Sequence, residues 1–388
     1  MNLTPRIFSI LVKPVSSDCN LACEYCFYSS KAEELYPETR IHRMSSKVLR
    51  ELIAQFMALS WEQASFCWQG GEQTLAGLDF YKEVVKYQSL FSVPGQVIQN
   101  SLQTNGTLID KNWAEFLARY DFLVGVSLDG PPELHNYYRK DRYGNPTYER
   151  VMKGIEWLRR FNVKFNILVL LNRCNVKHPK DLYYFLLDQG FQYLQFIPCV
   201  EKDPETGVIA SYSITPEEYG RFLCEVFDEW VAPGIPQVYI RDFDEILISY
   251  ITGESPSCIF SRECGKYVVV EFNGDVYACD FFVEPRWFLG NLMEQSLEDI
   301  IKSEKFLEFK KRKSKLALNC KGCRWLRYCN AGCPKHWIPS EFNHNYFCSA
   351  YKMFFKHSHR KFLELKRLVE NRLKIPERFR DIILNRKR

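Results

Sequence analysis

The stretch "SSDCNLACEYCFY", residues 16–28, places three cysteines in a Cys-x3-Cys-x2-Cys pattern directly after a short apolar run. The histidine nearest to this triplet of Cys19, Cys23 and Cys26 is His42, sixteen residues further along the chain. Four-coordinate metal sites usually take four protein ligands, so zinc would lack an evident fourth ligand here. Three thiolates instead suit a [4Fe-4S] cluster with one open iron.

Around this stretch, β-rich apolar runs alternate with segments of helical apolar spacing up to about residue 200. The predicted strands are "IFSILVKP" (7–14), "ASFCWQGG" (64–71), "QVIQNSLQTNG" (96–106), "FLVGVSLDG" (122–130), "KFNILVLLN" (164–172) and "FQYLQFIP" (191–198). Such alternation predicts βαβ units and a parallel sheet. Six units fall short of the eight in a closed TIM barrel. We therefore predict an α/β fold, a partial (β/α)6 TIM barrel with function at the C-terminal ends of its strands.

The composition and the predicted structure of the sequence change after about residue 240. A break is indicated by "APGIPQ" (232–237), and "KYVVVEFNGDVYACD" (266–280) predicts a hairpin that turns at Asn273-Gly274. Cysteines become dense from Cys258 onward. We therefore predict a barrel domain over residues 1–240, a Cys-rich domain with its linker over 241–350, and a closing helix with a basic tail over 351–388.

Charge and hydropathy exclude several classes of protein. The net charge of +5 is small and partly local, in "KKRKSK" (310–315) and "NRKR" (385–388), which we interpret as solvated helix faces and a tail. No basic stripe with aromatic residues in register indicates nucleic-acid binding. The first residues lack the pattern of a signal peptide, and no apolar run approaches the ~18 residues needed to span a bilayer. We expect a cytoplasmic protein with neither nucleic acid nor membrane as partner.

The chain has 15 cysteines, and in a reducing compartment this odd number favours metal ligation over disulfides. Eight of those downstream of the triplet make two sets of four: Cys258, Cys264, Cys279, Cys320, Cys323, Cys329, Cys333 and Cys348. Spacing supports two full four-thiolate sites, for zinc or for iron-sulfur clusters. We interpret the other four as small buried hydrophobic residues: Cys67, Cys174, Cys199 and Cys224.

With Tyr25 as its aromatic residue, the triplet resembles the signature of radical S-adenosylmethionine (SAM) enzymes, and the C-terminal cysteines resemble the SPASM extension that carries auxiliary clusters. Within that superfamily the chain is most similar to the anaerobic sulfatase-maturating enzymes. The similarity lies in "CNLACEYCFY", "QGGEQTLAGLDF", "NSLQTNGTLID", "FLVGVSLDGP", "KFNIL", "LQFI", "GDVYACDF" and "LGN". It implies that a 5'-deoxyadenosyl radical starts oxidation of a Cys or Ser to Cα-formylglycine, in a Cys/Ser-x-Pro/Ala-x-Arg motif of an unfolded sulfatase.

The resemblance also implies which residues bind SAM and its cluster. Cys19, Cys23 and Cys26 would hold the cluster, and SAM would occupy the open iron. The residues implied to contact SAM are Tyr25, Gly70, Gly71, Glu72 and Ser127. The family usually has Gly-Gly-Glu-Pro, whereas Gln73 stands at the last position here. Asp129 is a further candidate, although it could equally cap a turn.

For the substrate, the resemblance implies that Asp280 is the acid or base next to the target carbon. Tyr28 and Gln69 are implied to lie near the substrate peptide, although either could be a packing residue. Gln103 and Asn105 come near the end of the third predicted strand, and we predict that they line the same substrate-binding mouth.

The resemblance assigns the eight downstream cysteines to two auxiliary [4Fe-4S] clusters, which makes three clusters in all. The nearer cluster would be held by Cys258, Cys264, Cys279 and Cys333. The farther cluster would be held by Cys320, Cys323, Cys329 and Cys348. A low-potential electron donor such as flavodoxin or ferredoxin would reduce the enzyme.

Two other functions fit parts of this pattern. A radical SAM/SPASM maturase could instead cross-link another ribosomal peptide or build a thioether or quinone in it. Asp280 and the two complete cysteine sets favour formylglycine formation, since thioether formation is often argued to use an open auxiliary iron. A zinc-containing interaction module is the alternative from another class, and iron and sulfide counts on anaerobically purified protein would exclude it.

Overall fold

The computed structural model describes residues 9–60, 62–203, 206–337 and 344–371. Its strands are β1 (Ser9–Lys13), β2 (Gln63–Trp68), β3 (Val97–Thr104), β4 (Leu123–Ser127), β5 (Phe165–Leu171), β6 (Tyr193–Pro198), β7 (Tyr239–Ile240), β8 (Tyr267–Glu271), β9 (Asp275–Tyr277) and β10 (Phe288–Asn291). Its α-helices are α1 (Lys31–Leu35), α2 (Ser46–Leu59), α3 (Leu78–Phe91), α4 (Lys111–Arg119), α5 (Pro132–Tyr138), α6 (Tyr148–Arg160), α7 (Pro179–Asp188), α8 (Pro216–Val231), α9 (Arg241–Thr252), α10 (Leu297–Lys302), α11 (Glu304–Lys310), α12 (Leu318–Lys321), α13 (Leu326–Cys329) and α14 (Cys348–Glu370). Strands β1–β6 confirm the six predicted from the sequence. The predicted basic tail with "NRKR" lies outside the described residues.

The chain divides into two compact units, each built from separate stretches. The first unit contains the described residues of Met1–Leu128, His135–Asn166 and Gly265–Lys311. The second contains those of Asp129–Leu134, Ile167–Cys264 and Arg312–Arg388. The domain boundaries predicted near residues 240 and 350 stay predictions.

In the first unit, β1 lies between β2 and β8 and is parallel to both. β2 pairs with β3, and β3 with β4, again in parallel, so the carboxyl ends of these strands share one edge. The register places Lys13, the last residue of β1, opposite Glu271, the last residue of β8. The predicted hairpin is confirmed, because β8 and β9 are antiparallel and Gly274 takes a φ of +93° at the turn.

Local sequence explains how the helices of the first unit start and which face they bury. Ser45 caps α2, since its side chain accepts a hydrogen bond from the Val48 amide. Val48, Leu52 and Phe56 recur at helical spacing and form part of its buried face. The apolar residues Ile10, Leu11 and Val12 of β1 are buried, as expected for a strand with a parallel neighbour on each side.

In the second unit, β5, β6 and β7 pair in parallel. α8 begins with a capping box, in which Thr215 and Glu218 each satisfy the other's backbone amide. α14 packs on α8 and α9, and the rings of Phe227 and Phe354 are 5.6 Å apart between these helices. α14 overlaps the segment 351–388, for which the sequence predicts a closing helix, and its role as a separate closing element stays a prediction. Within the described ranges, no helix is long and apolar enough to cross a membrane.

Candidate active site

The cysteine triplet lies in the loop between β1 and α1, at the carboxyl edge of the first unit's sheet. Cys26 is exposed, while Cys19 and Cys23 are half-buried. The Leu21 amide donates to Cys19 Sγ at 3.4 Å, and Asn105 Nδ2 lies 3.8 Å from the same sulfur. Burial raises the pKa of Cys19 to about 11, and the Glu72 carboxylate adds to that rise. A thiol of this kind becomes a thiolate when a metal binds it.

Gly70 and Gly71 bring the end of β2 against the loop that carries the triplet. The Gly71 amide donates to the Ser16 carbonyl at 2.6 Å, and the Glu72 amide donates to the Asp18 carbonyl at 2.8 Å. A Cβ at Gly71 would lie 2.0 Å from the Asp18 carbonyl oxygen, and one at Gly70 would lie 2.7 Å from that of Ser16. The glycines are therefore needed for a close approach within the protein itself, directly before Cys19.

We predict that Gly71→Ala displaces the triplet loop, because the added Cβ meets backbone rather than a flexible side chain. If the triplet holds a cluster, as we predict, the variant should lose the iron of that cluster, about four ions per chain, and with it SAM cleavage. Gly322→Ala is the matched control, since Gly322 also stands next to a predicted ligand, Cys323, but has no neighbouring atom within 4 Å of its Cβ position. Anaerobic iron determination measures both. Equal iron in Gly71→Ala and wild type would contradict the steric argument.

The carboxylate of Glu72 is fully buried and enclosed by donors of the first unit. Its Oε1 accepts from the amide and hydroxyl of Thr74 and from the hydroxyl of Thr104, at 2.7 to 3.1 Å. Its Oε2 accepts from the Asn105 amide at 2.7 Å. Burial raises the pKa of Glu72, and these hydrogen bonds oppose the rise. Glu72 thus joins the end of β3 to the glycine turn and positions Asn105 beside Cys19. Its contact with SAM stays a prediction.

The remaining predicted SAM and substrate contacts differ in their surroundings. Ser127 is buried at the end of β4, and Gln103 is half-buried in β3. Tyr25 is buried against the ring of Tyr138, with centroids 5.7 Å apart, and the Arg139 guanidinium lies 5.5 Å from its ring. Tyr25 is therefore part of the packing around the triplet, and its role towards SAM stays a prediction.

Asp280 lies in a buried group of charged side chains. Its carboxylate pairs with Lys13 Nζ at 2.6 Å, and both side chains are at most 5% exposed. Gln69 Nε2 donates to the second carboxylate oxygen at 3.2 Å. The Lys13 ammonium also lies 3.6 Å from the centre of the Tyr28 ring. The structure therefore brings together Asp280, Gln69 and Tyr28, three residues that the resemblance placed at the substrate.

A second carboxylate completes this group. The Tyr28 hydroxyl donates to Glu271 Oε1, and Glu271 is fully buried at the end of β8. Burial raises the pKa of Glu271, and the Lys13 ammonium opposes the rise. The Lys13 ammonium thus offsets the charge of two carboxylates, those of Asp280 and Glu271. The group has no net charge when one of these carboxylates is protonated. Such an arrangement accepts a proton without leaving a net positive charge in a buried site.

Sequence reasoning missed Lys13 and Glu271. Each is a charged residue that ends an apolar run, "ILVK" at 10–13 and "VVVE" at 268–271. A charged residue at the carboxyl end of a buried strand was the available signal, because function gathers at that edge of parallel sheets. Their proximity could not be read from the sequence, since it depends on β8 pairing with β1.

In the second unit, four predicted ligands line one pocket: Cys320, Cys323, Cys329 and Cys348. Trp325, Tyr351 and Lys352 complete part of its wall. Among the described residues, no three His, Cys, Asp or Glu side chains are arranged to hold a single metal ion. A four-iron cluster is larger than one ion and is held by thiolates from all round it.

The other four predicted ligands are divided between the units. Cys258, Cys264 and Cys333 are in the second unit, and Cys279 is in the first, where its sulfur lies 3.6 Å from the Tyr267 hydroxyl. Burial raises the pKa of Cys264 to about 11 and that of Cys333 to about 12. The thiols of Cys258 and Cys264 raise the pKa of Cys333 further. The grouping of these four cysteines around one cluster rests on the resemblance.

Comparison with known proteins agrees with this geometry. Residues 14–186 match the radical SAM superfamily, and residues 258–324 match the SPASM iron-sulfur cluster-binding domain. The chain is 39% identical to a serine-type anaerobic sulfatase-maturating enzyme of Bacteroides thetaiotaomicron, over 90% of this chain and 88% of that protein. It is 38% identical to a cysteine-type enzyme of Clostridium perfringens, over 90% of this chain and 96% of that protein.

A solved structure, native anSMEcpe with bound AdoMet and Cp18Cys peptide, is similar with a TM-score of 0.85 and 36% sequence identity. The match covers 93% of this chain and 99% of that one, so it includes the barrel strands and the Cys-rich region alike. These matches confirm the predicted fold and its SAM and [4Fe-4S] cofactors, and they favour iron-sulfur clusters over zinc. The chain belongs to the anaerobic sulfatase-maturating enzymes, radical SAM enzymes with a SPASM domain.

Proposed function

We propose that this protein oxidises a Cys or Ser in a Cys/Ser-x-Pro/Ala-x-Arg segment of an unfolded sulfatase to Cα-formylglycine. The observation that carries the proposal is the position of Asp280. Its buried carboxylate, held by Lys13 and Gln69, belongs to the same compact unit as the cysteine triplet. Relatives of both the serine and the cysteine type have nearly the same identity to this chain, so we include both residues as substrates.

The residues present fit the cofactors of this family. Three cysteines share one loop, and the glycine turn beside it would not tolerate a Cβ. A second set of four cysteines lines one pocket, and Cys258, Cys264 and Cys333 belong to the same compact unit as that set. We propose that the triplet holds the SAM-binding cluster and that the eight downstream cysteines hold two auxiliary clusters. When bound, SAM and the clusters supply the radical that removes a hydrogen atom and the acceptor for one electron.

The side chains around Asp280 supply the proton chemistry of this two-electron oxidation. We propose that Asp280 takes the proton from the Ser hydroxyl or Cys thiol. Oxidation of Ser gives the aldehyde directly, whereas oxidation of Cys gives a thioaldehyde, which water hydrolyses to the aldehyde with release of hydrogen sulfide. Lys13 holds the carboxylate in place, and its charge is balanced by Glu271 after the proton arrives. Gln69 orients the second carboxylate oxygen. Tyr28 covers the Lys13 ammonium with its ring, which limits access of water to the ion pair.

The partners follow from this reaction. An extended sulfatase peptide is the substrate, and a low-potential carrier such as flavodoxin or ferredoxin provides electrons to the cluster of the triplet. We place the reaction in the cytoplasm, because thiolate ligands require a reducing compartment and the client must be met before it folds.

A peptide assay tests the proposal. Reconstituted enzyme, SAM, a chemical reductant and a synthetic peptide with the Ser-x-Pro-x-Arg motif are incubated without oxygen. Mass spectrometry should show the loss of two hydrogen atoms from the Ser, with one 5'-deoxyadenosine per event. A peptide with Thr at the target position is the matched control. Cleavage of SAM with no change in either the Ser or the corresponding Cys peptide would refute the substrate assignment.

We predict that Lys13→Met lowers both stability and formylglycine formation, because it leaves the Asp280 carboxylate buried without its ammonium. Removing one partner of a buried ion pair costs about 3–5 kcal/mol. Lys82→Met is the control, since it removes a lysine from an exposed pair with Asp79. Adding Glu271→Gln to Lys13→Met should recover part of the lost thermal stability, since it removes one of the two carboxylates. Thermal unfolding followed by circular dichroism measures each variant, and a melting temperature unchanged by Lys13→Met would contradict the prediction.

A further inference from the structure

The basic run "KKRKSK", residues 310–315, contains a lysine that is buried. Lys313 is 2% exposed, whereas Lys311 and Lys315 are exposed. The sequence-based prediction of a solvated face is therefore wrong at Lys313. Burying an ammonium is costly unless acceptors or opposite charges surround it. Its neighbours give the reason for its burial.

The Lys313 ammonium is surrounded by backbone carbonyls of the loop that carries Cys258. Its Nζ donates to the carbonyl oxygens of Ser261 at 2.6 Å, Ile259 at 2.7 Å and Cys258 at 3.4 Å. An ammonium has three N–H donors and a neutral amine has two, so three acceptors match the charged form. The lysine thus places a positive charge next to this loop.

The same loop is also held from a second cysteine segment. Asn330, which directly follows Cys329, donates from Nδ2 to the Phe260 carbonyl at 2.7 Å. Residues 253–266 contain no helix or strand, so their carbonyls have no ladder of backbone partners. All four consecutive carbonyls from Cys258 to Ser261 accept from a side chain, three of them from Lys313. The loop's shape therefore depends on this lysine.

We propose that Lys313 is a positioning residue that holds the Cys258 loop and supplies positive charge to the cluster bound by Cys258, Cys264 and Cys333. The inference rests on the proposed function, since it takes these cysteines as ligands. The carbonyl of Cys258 is itself one of the three acceptors of the Lys313 ammonium, so the positive charge lies beside a proposed ligand of that cluster. The net charge around an iron-sulfur cluster helps to set its reduction potential, and a positive charge favours the reduced state.

Lys313→Met tests the inference, because methionine keeps the aliphatic volume and loses the charge and all three donors. The variant is made in a background with Cys19, Cys23 and Cys26 replaced by Ala, so that only auxiliary clusters contribute. Iron and sulfide are counted after anaerobic reconstitution, and midpoint potentials are measured by electron paramagnetic resonance during a redox titration. Lys315→Met, from the exposed part of the same run, is the matched control.

We expect Lys313→Met either to bind about four fewer irons or to retain them with a more negative midpoint potential for one auxiliary cluster. Lys315→Met should have the same iron content and the same midpoint potentials as the background protein. Lys313→Gln, which keeps an amide donor without the charge, provides a second comparison and should show the same direction of shift. Lys313→Arg should restore iron content, because it retains charge and donors.

Full iron and an unchanged potential in both Lys313→Met and Lys313→Gln would overturn the inference and leave the proposed function standing. If the background protein itself held no auxiliary iron, the proposed clusters would be refuted first. Circular dichroism of each variant shows whether a loss of iron reflects the site or a loss of the whole fold.

Discussion

Asp280→Asn should lower formylglycine formation by about 10²–10⁴-fold, the usual contribution of a positioned proton acceptor. Asparagine has nearly the same shape as aspartate, and its one carbonyl oxygen can still accept a hydrogen bond from Lys13, but it cannot take the substrate's proton. SAM cleavage should continue, because the triplet and the glycine turn are not altered. The measurement is the ratio of 5'-deoxyadenosine to formylglycine in the anaerobic peptide assay, which should rise steeply.

The control for this variant is Asp79→Asn, which changes an exposed aspartate that pairs with Lys82 on α3. Its ratio of the two products should equal that of wild type. A melting temperature for Asp280→Asn close to wild type would separate a chemical effect from unfolding, because Lys13 keeps Glu271 as a buried counter-charge. Formylglycine formation at the wild-type rate in Asp280→Asn would remove Asp280 from the reaction.

The second large effect is expected when Cys19, Cys23 and Cys26 are all replaced by alanine. The protein should lose about four irons per chain, and cleavage of SAM should fall below detection because the variant lacks the ligands of the proposed SAM-binding cluster. The auxiliary iron should remain, since the eight downstream cysteines are unchanged. Iron and sulfide analysis together with high-performance liquid chromatography of 5'-deoxyadenosine measures both quantities.

Cys174→Ala is the matched control, since Cys174 lies outside the three cysteine groups and we interpret it as a small packing residue. It should keep all iron and full SAM cleavage. The triple variant would contradict the assignment if it still cleaved SAM at the wild-type rate. Complete loss of iron in that variant would refute the two proposed auxiliary clusters.

Much of the barrel could be predicted from sequence because its signals are local. The six strands β1–β6 were found from apolar runs, and the β8–β9 hairpin from Asn273-Gly274. The pairing of β8 with β1 was not foreseen, because no local pattern indicates which distant strand will lie beside another. That one pairing brings Glu271 opposite Lys13.

The glycine motif is a second feature for which the prediction from the sequence and the contacts in the structure differ. From the sequence, Gly70 and Gly71 indicate a turn that approaches a ligand closely. In the structure the close approach is to the carbonyls of Ser16 and Asp18, and Glu72 is enclosed by Thr74, Thr104 and Asn105. The motif therefore also builds the loop that presents the cysteines, which depends on three-dimensional contacts.

The sequence by itself determined the cofactor chemistry. The three cysteine ligands and their short spacing lie within one contiguous loop, "SSDCNLACEYCFY", so they can be recognised without knowledge of the fold. Only the tertiary structure decided which charged side chains lie next to the proposed catalytic and cluster-binding residues. Lys13 and Glu271 meet only because their strands pair, and Lys313 is buried while Lys315 is exposed only because the Cys258 loop packs over one of them. Burial and charge compensation are properties of packing between segments that are far apart in the chain, so no local pattern encodes them.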